Sequence, residues 1–174
     1  MTRIYLETYG CQMNEADSEL MAGVLARAGF ERVGRPEDAD VVLLNTCAVR
    51  EHAERRVLGR ITDLARHKRS RPGVLLGVTG CMAQHLRGRL LEHSRWLDLV
   101  LGPDSYRDLP ALLARAARAP VAHAEPDPEE TYGDLEPLRA PGVRAWVPVQ
   151  RGCDQYCAYC VVPYARGRER SLPL

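Results

Sequence analysis

Net charge is almost missing from this 174-residue sequence: 24 basic side chains stand against 23 acidic ones, leaving +1 with histidine neutral. That excludes, for the chain as a whole, a strongly basic nucleic-acid binder of the kind that works through a positive surface. Lysine is nearly absent too. Lys68 is the one lysine among the 24 basic residues, a bias that a GC-rich genome explains more simply than heat adaptation, which tends to enrich lysine. Long hydrophobic runs are lacking, and stretches such as Val41-Val42-Leu43-Leu44 are far too short to cross a bilayer. Met1-Thr2-Arg3 leads straight into an alternating strand pattern, without the regions of a secretory signal, and no internal repeat occurs. The expectation is a cytoplasmic protein with no membrane partner and an ordinary hydrophobic content of 45%, enough for a packed core. In that compartment thiols stay reduced, so six cysteines point to metal or redox chemistry ahead of structural bridges.

Strands and amphipathic helices alternate over the first two thirds of the chain. Residues 3–8, 40–45, 74–79 and 97–101 read as strands. Residues 18–28 read as a helix with Leu20, Met21, Val24, Leu25 and Ala28 on one stripe. Asn14 is its candidate N-cap, Glu15 and Asp17 suit the positive end of the dipole, and Gly29 ends it. Further helices are expected over 51–68 (Ala53, Val57, Ile61 and Leu64 inward), 83–92, and 106–118 (Leu109, Leu112, Leu113 and Ala116 inward). Such alternation builds a parallel sheet covered on both faces, and a flavodoxin-like doubly wound α/β fold suits this length. Residues 1–119 form the expected first domain. Prolines spaced among acidic and small residues make 120–142 a linker. Residues 143–174 would begin a second domain, with a strand over 145–150 feeding a cysteine-rich loop; one strand and one loop do not complete a domain, so the chain reads as a fragment.

That loop carries Cys153, Cys157 and Cys160 in the spacing C-x3-C-x2-C. Three thiolates within eight residues converge on one centre only if the backbone wraps around it. Three ligands on a four-iron cluster leave one iron open as a chemical handle. By spacing alone, zinc and disulfides remain alternatives. The other cysteines, Cys11, Cys47 and Cys81, lie far apart in sequence, yet each follows the C-terminal end of a predicted parallel strand. Those ends share one edge of an open sheet, the edge where such folds place ligands. Gly10 and Gly80 allow close backbone approach there. Small buried hydrophobes are the bland alternative for any one of the three, but matched positions on three loops favour a shared centre.

Three segments carry a family resemblance in this half: Tyr9-Gly10-Cys11-Gln12-Met13-Asn14-Glu15-Ala16-Asp17-Ser18-Glu19, Asn45-Thr46-Cys47-Ala48-Val49-Arg50 and Thr79-Gly80-Cys81-Met82-Ala83-Gln84. With Arg151-Gly152-Cys153 through Cys160 and on to Arg166-Gly167-Arg168-Glu169-Arg170-Ser171, they resemble the methylthiotransferase family of radical S-adenosylmethionine enzymes. The Gln12-Met13-Asn14 run resembles the tRNA-modifying branch; sister enzymes acting on threonylcarbamoyladenosine or a ribosomal protein are the alternatives within the family. Leu172 departs from the arginine expected after Ser171.

The resemblance implies a methylthio group added to carbon 2 of isopentenyladenosine beside the anticodon of tRNA. It implies two 4Fe-4S clusters. Cys153, Cys157 and Cys160, with Tyr159 nearby, would hold the one that binds and cleaves S-adenosylmethionine to a hydrogen-abstracting radical. Cys11, Cys47 and Cys81 would hold the auxiliary one that presents sulfur. It also implies a reducing electron-donor protein, a monomer in full-length form, and a truncated start of a radical SAM (β/α) barrel after the linker, so that the fragment alone is inactive.

Other residues have plainer readings. His52, His67, His85, His93 and His123 are scattered surface or linker residues, with His85 the nearest to a cysteine loop. The arginines between Arg50 and Arg71 read as a solvated helix face paired with Glu51, Glu54 and Asp63, ahead of RNA contact. Arg166, Arg168 and Arg170 suggest substrate or cofactor contact. Tyr156, Tyr159 and Tyr164 suit base stacking or loop packing. Asp17 and Asn45 are expected to fix loop backbone. From other functional classes, a non-catalytic zinc or electron-transfer module and a disulfide oxidoreductase compete; the second has one C-x2-C, Cys157 to Cys160, with Cys153 beside it fitting a cluster better.

Overall fold

The computed structural model describes residues 1–48, 51–139 and 141–172, with the backbone alone for 51–54. The inward placement of Ala53, the roles of Arg50 and His52, and the pairing of Glu51 and Glu54 lie outside the described residues.

Six strands form one parallel sheet: β1 (Arg3–Thr8), β2 (Glu31–Arg32), β3 (Val41–Thr46), β4 (Leu75–Gly80), β5 (Leu99–Leu101) and β6 (Val121–His123), in the order β2-β1-β3-β4-β5-β6. Strand β3 is buried along its whole length, as a central strand covered on both faces must be. Its period of two divides the core. Val41 and Leu43 join Ile4, Leu6, Leu99 and Leu101 beneath α1 (Gln12–Arg27) and α5 (Leu109–Ala116). Val42 and Leu44 join Leu76, Val78 and Val100 beneath α2 (Glu51–Ser70), α3 (Cys81–Leu86) and α4 (Arg89–His93). The strand order is the flavodoxin-like one with a sixth strand added, and its switch point lies between β1 and β3.

Several boundaries differ from the pattern reading. Helix α1 begins at Gln12, six residues before the expected start, because Cys11 in extended conformation is its N-cap; the Asn14 side chain, expected to cap, instead crosses to β3. Ala28 is exposed, since the helix has ended at Arg27. The single helix read over 83–92 is two, α3 and α4, because Arg87 takes a φ of 50° ahead of Gly88.

The stretch read as linker contributes the sheet's edge strand β6 and then a strap across the α1 and α5 face. Tyr132 is buried there, stacked on Tyr106 at 5.8 Å. Its hydroxyl accepts the Tyr106 N–H at 2.9 Å and donates to the Pro103 carbonyl at 3.0 Å. Arg107 grips Glu130 and Asp134, each at 2.8 Å. Aromatic burial and an arginine clamp, rather than hydrophobic period, hold this segment, which is why no periodicity announces it.

After the strap, the strand expected over 145–150 is reduced to β7 (Gln150–Arg151), paired antiparallel with β8 (Arg170–Ser171). Val147 and Val149 stand exposed, and among the described residues the pairing beyond β7 continues only as the Leu172 N–H donating to the Val149 carbonyl at 3.0 Å. Between the two strands lies α6 (Val162–Arg166), which packs on α3. The strand–helix–strand unit of a barrel is not formed among the described residues. No described helix is long and apolar enough to cross a membrane.

Candidate functional site

The C-terminal ends of β1, β3 and β4 are neighbours at one edge of the sheet, and each runs into a cysteine. Cys11 caps α1, Cys47 follows β3, and Cys81 opens α3. All three line a single cavity of about 280 Å³, together with Met13, Gln150, Gly152, Val161, Val162, Ala165 and Arg166. All six cysteines of the chain are thiols, with Cys47 and Cys81 buried and Cys11 exposed.

Close nesting of the loops requires the two glycines. Gly10 has a φ of +137°, and a Cβ there would lie 2.7 Å from the Cys47 Cβ. Gly80 has a φ of +89°, and a Cβ would lie 2.5 Å from both the Asn45 side-chain oxygen and the Thr46 carbonyl. A buried polar network then pins the loops to one another. The Asn45 amide donates to the Asn14 carbonyl at 2.7 Å and to Ser18 Oγ at 2.9 Å. The Asn14 amide donates to Asn45 Oδ1 at 3.1 Å and to the Thr46 carbonyl at 3.0 Å, and Thr46 Oγ1 donates to the Thr79 carbonyl at 2.6 Å. Asn45 thus fixes backbone as expected. Each donor is partnered, as burial demands.

Asp17 does something else. It is fully buried, and its two oxygens hold Arg151 at 2.8 Å and Arg166 at 2.8 Å. Burial pushes its carboxyl up, but the two guanidinium charges outweigh burial and hold it below the usual carboxylate range. Arg151 makes a directed hydrogen bond to Oδ1 and lies over the Tyr132 ring at 4.8 Å. Arg166 forms an ion pair with Oδ2 at 2.8 Å. Arg170 completes the cluster, 3.0 Å from Asp104 and donating to the Arg166 carbonyl at 2.7 Å. Burial pushes the Cys81 thiol up, and the Arg166 guanidinium beside it pulls partly the other way.

Arg166 and Arg170 are therefore anchored inside the chain by Asp17 and Asp104, while Arg168 stays exposed against Asp154 at 3.2 Å. The pattern signal for this cluster existed: Asp17 lies three and four residues before Leu20 and Met21, on the inward stripe of α1, where a carboxylate needs a counter-charge. Its partners, 134 and more residues away, left no local mark.

Cys153, Cys157 and Cys160 sit on the loop between β7 and α6, the first and last half-buried and Cys157 exposed. The loop is tied at its base by the Cys153 N–H to the Gly167 carbonyl at 3.2 Å and by the Glu169 N–H to Asp154 at 2.9 Å. Its flanks, Gly152 and Val161, border the cavity of the first three cysteines, so the two cysteine sets are neighbours. Tyr159 is 92% exposed; Tyr156 and Tyr164 meet edge to face at 6.0 Å. His85 is exposed on α3. Arg66 pairs with Asp63 at 3.2 Å on the solvated face, as expected, whereas Arg60 turns inward to a half-buried pair with Glu7 of β1 at 3.0 Å.

Among the described residues, no three His, Cys, Asp or Glu side chains are grouped closely enough to hold a single metal ion. A polynuclear cluster asks for less crowding: each cysteine takes a different iron, so the sulfurs stand farther apart than around one ion. Three thiols around one cavity, with a buried arginine in its wall, fit such a group.

A model for the uncharacterized protein family UPF0004 matches residues 3–102, which takes in β1 to β5 and Cys11, Cys47 and Cys81. The chain is 47% identical over 173 residues to a tRNA-2-methylthio-N(6)-dimethylallyladenosine synthase of Chloroherpeton thalassium, covering 99% of this chain and 38% of that relative. It is 50% identical over 171 residues to the enzyme of the same name from Chlorobium phaeovibrioides, covering 97% and 38%. With that of Christiangramia forsetii it shares 46% over 172 residues, covering 97% and 36%. The chain thus spans well under half the length of these relatives, and the similarity reaches through the Cys153–Cys160 loop as well as the sheet. On the match over its sheet domain, the chain belongs to the UPF0004 family.

Proposed function

We propose that this chain is the first part of a tRNA methylthiotransferase that adds a methylthio group to carbon 2 of N6-isopentenyladenosine beside the anticodon. The observation that carries the reading is the meeting of Cys11, Cys47 and Cys81 at one cavity whose wall includes both flanks of the C-x3-C-x2-C loop. In this reading Cys11, Cys47 and Cys81 hold an auxiliary 4Fe-4S cluster, and Cys153, Cys157 and Cys160 hold a second, on which S-adenosylmethionine binds with Tyr159 at its side. When bound, these groups supply radical chemistry and a sulfur source, which an unreactive aromatic C–H requires.

The residues of the chain do the positioning. Gly10 and Gly80 bring the loops together, and the Asn14–Asn45 network keeps the three thiols on one wall. Asp17, through Arg151 and Arg166, fastens the second cysteine loop over the first. tRNA and a reducing electron donor are the partners, the complete polypeptide works as a cytoplasmic monomer, and the 174 residues by themselves give no turnover.

Nucleoside analysis tests this. In cells lacking the modification, supplying the complete polypeptide should convert N6-isopentenyladenosine in tRNA to its 2-methylthio form. The Cys153→Ala variant should leave the unconverted nucleoside. An unchanged nucleoside profile with the unmutated polypeptide would contradict the reading.

A further inference from the structure

Among the described residues, three buried arginines stand against two buried aspartates. Asp104 is matched by Arg170 at 3.0 Å, which leaves Asp17 to serve both Arg151 and Arg166 at 2.8 Å each. Two buried positive charges thus share one buried carboxylate, an arrangement that a further anion beside them would relieve. The surplus has an address. Arg151 spends its Nη2 on a directed bond to Asp17 and lays its plane on Tyr132. Arg166, with a side chain 6% exposed, lines the cavity of the three thiols, its guanidinium meeting Asp17 at 2.8 Å on one side and standing beside the Cys81 sulfur on the other. The guanidinium that shares its counter-charge and the three thiols thus line the same space.

We propose that Arg166 is the anion-holding residue of this cavity: anchored by Asp17, its guanidinium pairs with the negatively charged sulfur that Cys11, Cys47 and Cys81 hold. The identity of the occupant rests on the cluster reading above; the demand for an anion rests on the buried charges. Three thiolate ligands make an iron–sulfur centre an anionic group, and hydrogen bonds to its sulfurs set its potential. A fixed cation favours the more negative, reduced form and so raises the potential. Arginine suits the task, since it keeps its charge when buried and presents donors in a rigid fork. Arg166 is then a positioning and tuning residue, acting on the centre through charge.

Two measurements decide it. Crystals of the metal-free, reduced protein soaked in bromide should show an anomalous peak beside Arg166 in the cavity, missing from Arg166→Met crystals. Wild-type crystals without that peak overturn the proposal. The second measurement uses protein carrying Cys153→Ala, Cys157→Ala and Cys160→Ala, so that iron is confined to the first cysteine set. Redox titration followed by electron paramagnetic resonance should find the potential of Arg166→Met moved negative by at least a tenfold change in the one-electron equilibrium, about 59 mV. Arg166→Lys, which keeps the charge, should stay near the parent. Equal potentials in Arg166→Met and its parent overturn the proposal, as does an equal fall in Arg166→Lys, because general damage would move both alike. Iron content of the same samples separates the two readings. An iron-free sample refutes the cluster assignment, and the bromide map still decides for or against Arg166.

Discussion

Replacing Cys11, Cys47 and Cys81 together with alanine is expected to lower the iron bound after anaerobic reconstitution from about eight atoms per chain to about four, as the loss of one of two four-iron clusters requires. Iron and sulfide analysis reads the outcome directly. Folding should not confuse the result. Cys11 is exposed, and at the buried positions cysteine to alanine deletes a single sulfur beside an existing cavity. The complementary replacement of Cys153, Cys157 and Cys160 should leave the other four irons, and removal of all six thiols should leave none. Were the three sheet-edge cysteines only small core residues, the first variant would bind as much iron as the parent, and that result would contradict the assignment.

Asp17→Ala should be the most destabilising single substitution at this site. It strands Arg151 and Arg166, both nearly fully buried, without their shared counter-charge. Breaking a buried pair by removing one partner costs about 3–5 kcal/mol. At roughly 2–4 °C per kcal/mol for a chain of this size, the melting temperature should fall by about 6–20 °C. Adding Arg166→Met to Asp17→Ala should recover part of the loss, because the second change removes one stranded charge. A melting temperature within about 2 °C of the parent would show that the carboxylate is not holding the two segments together.

Local pattern carried the sheet and the cysteine rim. The runs at 41–44 and 75–79 are apolar because their strands are covered on both faces, and Leu109, Leu112, Leu113 and Ala116 fell inward where the helical period put them. Parallel strands fix their C-terminal ends on one edge, so the placement of Cys11, Cys47 and Cys81 followed from topology without any side-chain detail. What pattern could not carry was interaction across long separations. Asp17 reads as a first-turn acid that fixes loop backbone, and Arg166 as a substrate or cofactor contact, until the fold brings them to 2.8 Å. Tyr132 sits in a proline-rich stretch held by a stacked ring, an arginine clamp and single hydrogen bonds such as the Leu138 N–H to the Glu19 carbonyl, none of which repeats along the chain. The short strand β6 of three residues has too little length for a period to show. A helix start at Gln12 was hidden because its N-cap is a cysteine without a side-chain capping bond, where serine, threonine or aspartate would have signalled it.

The central claim is that Cys11, Cys47 and Cys81 surround one iron–sulfur centre at the edge of the sheet. Anomalous diffraction at the iron absorption edge, from crystals of anaerobically reconstituted protein, tests it most directly. The account predicts iron density inside the cavity bounded by those three residues and Arg166, bonded to all three sulfurs. Iron confined to the Cys153–Cys160 loop, with the sheet-edge thiols bare, would contradict it.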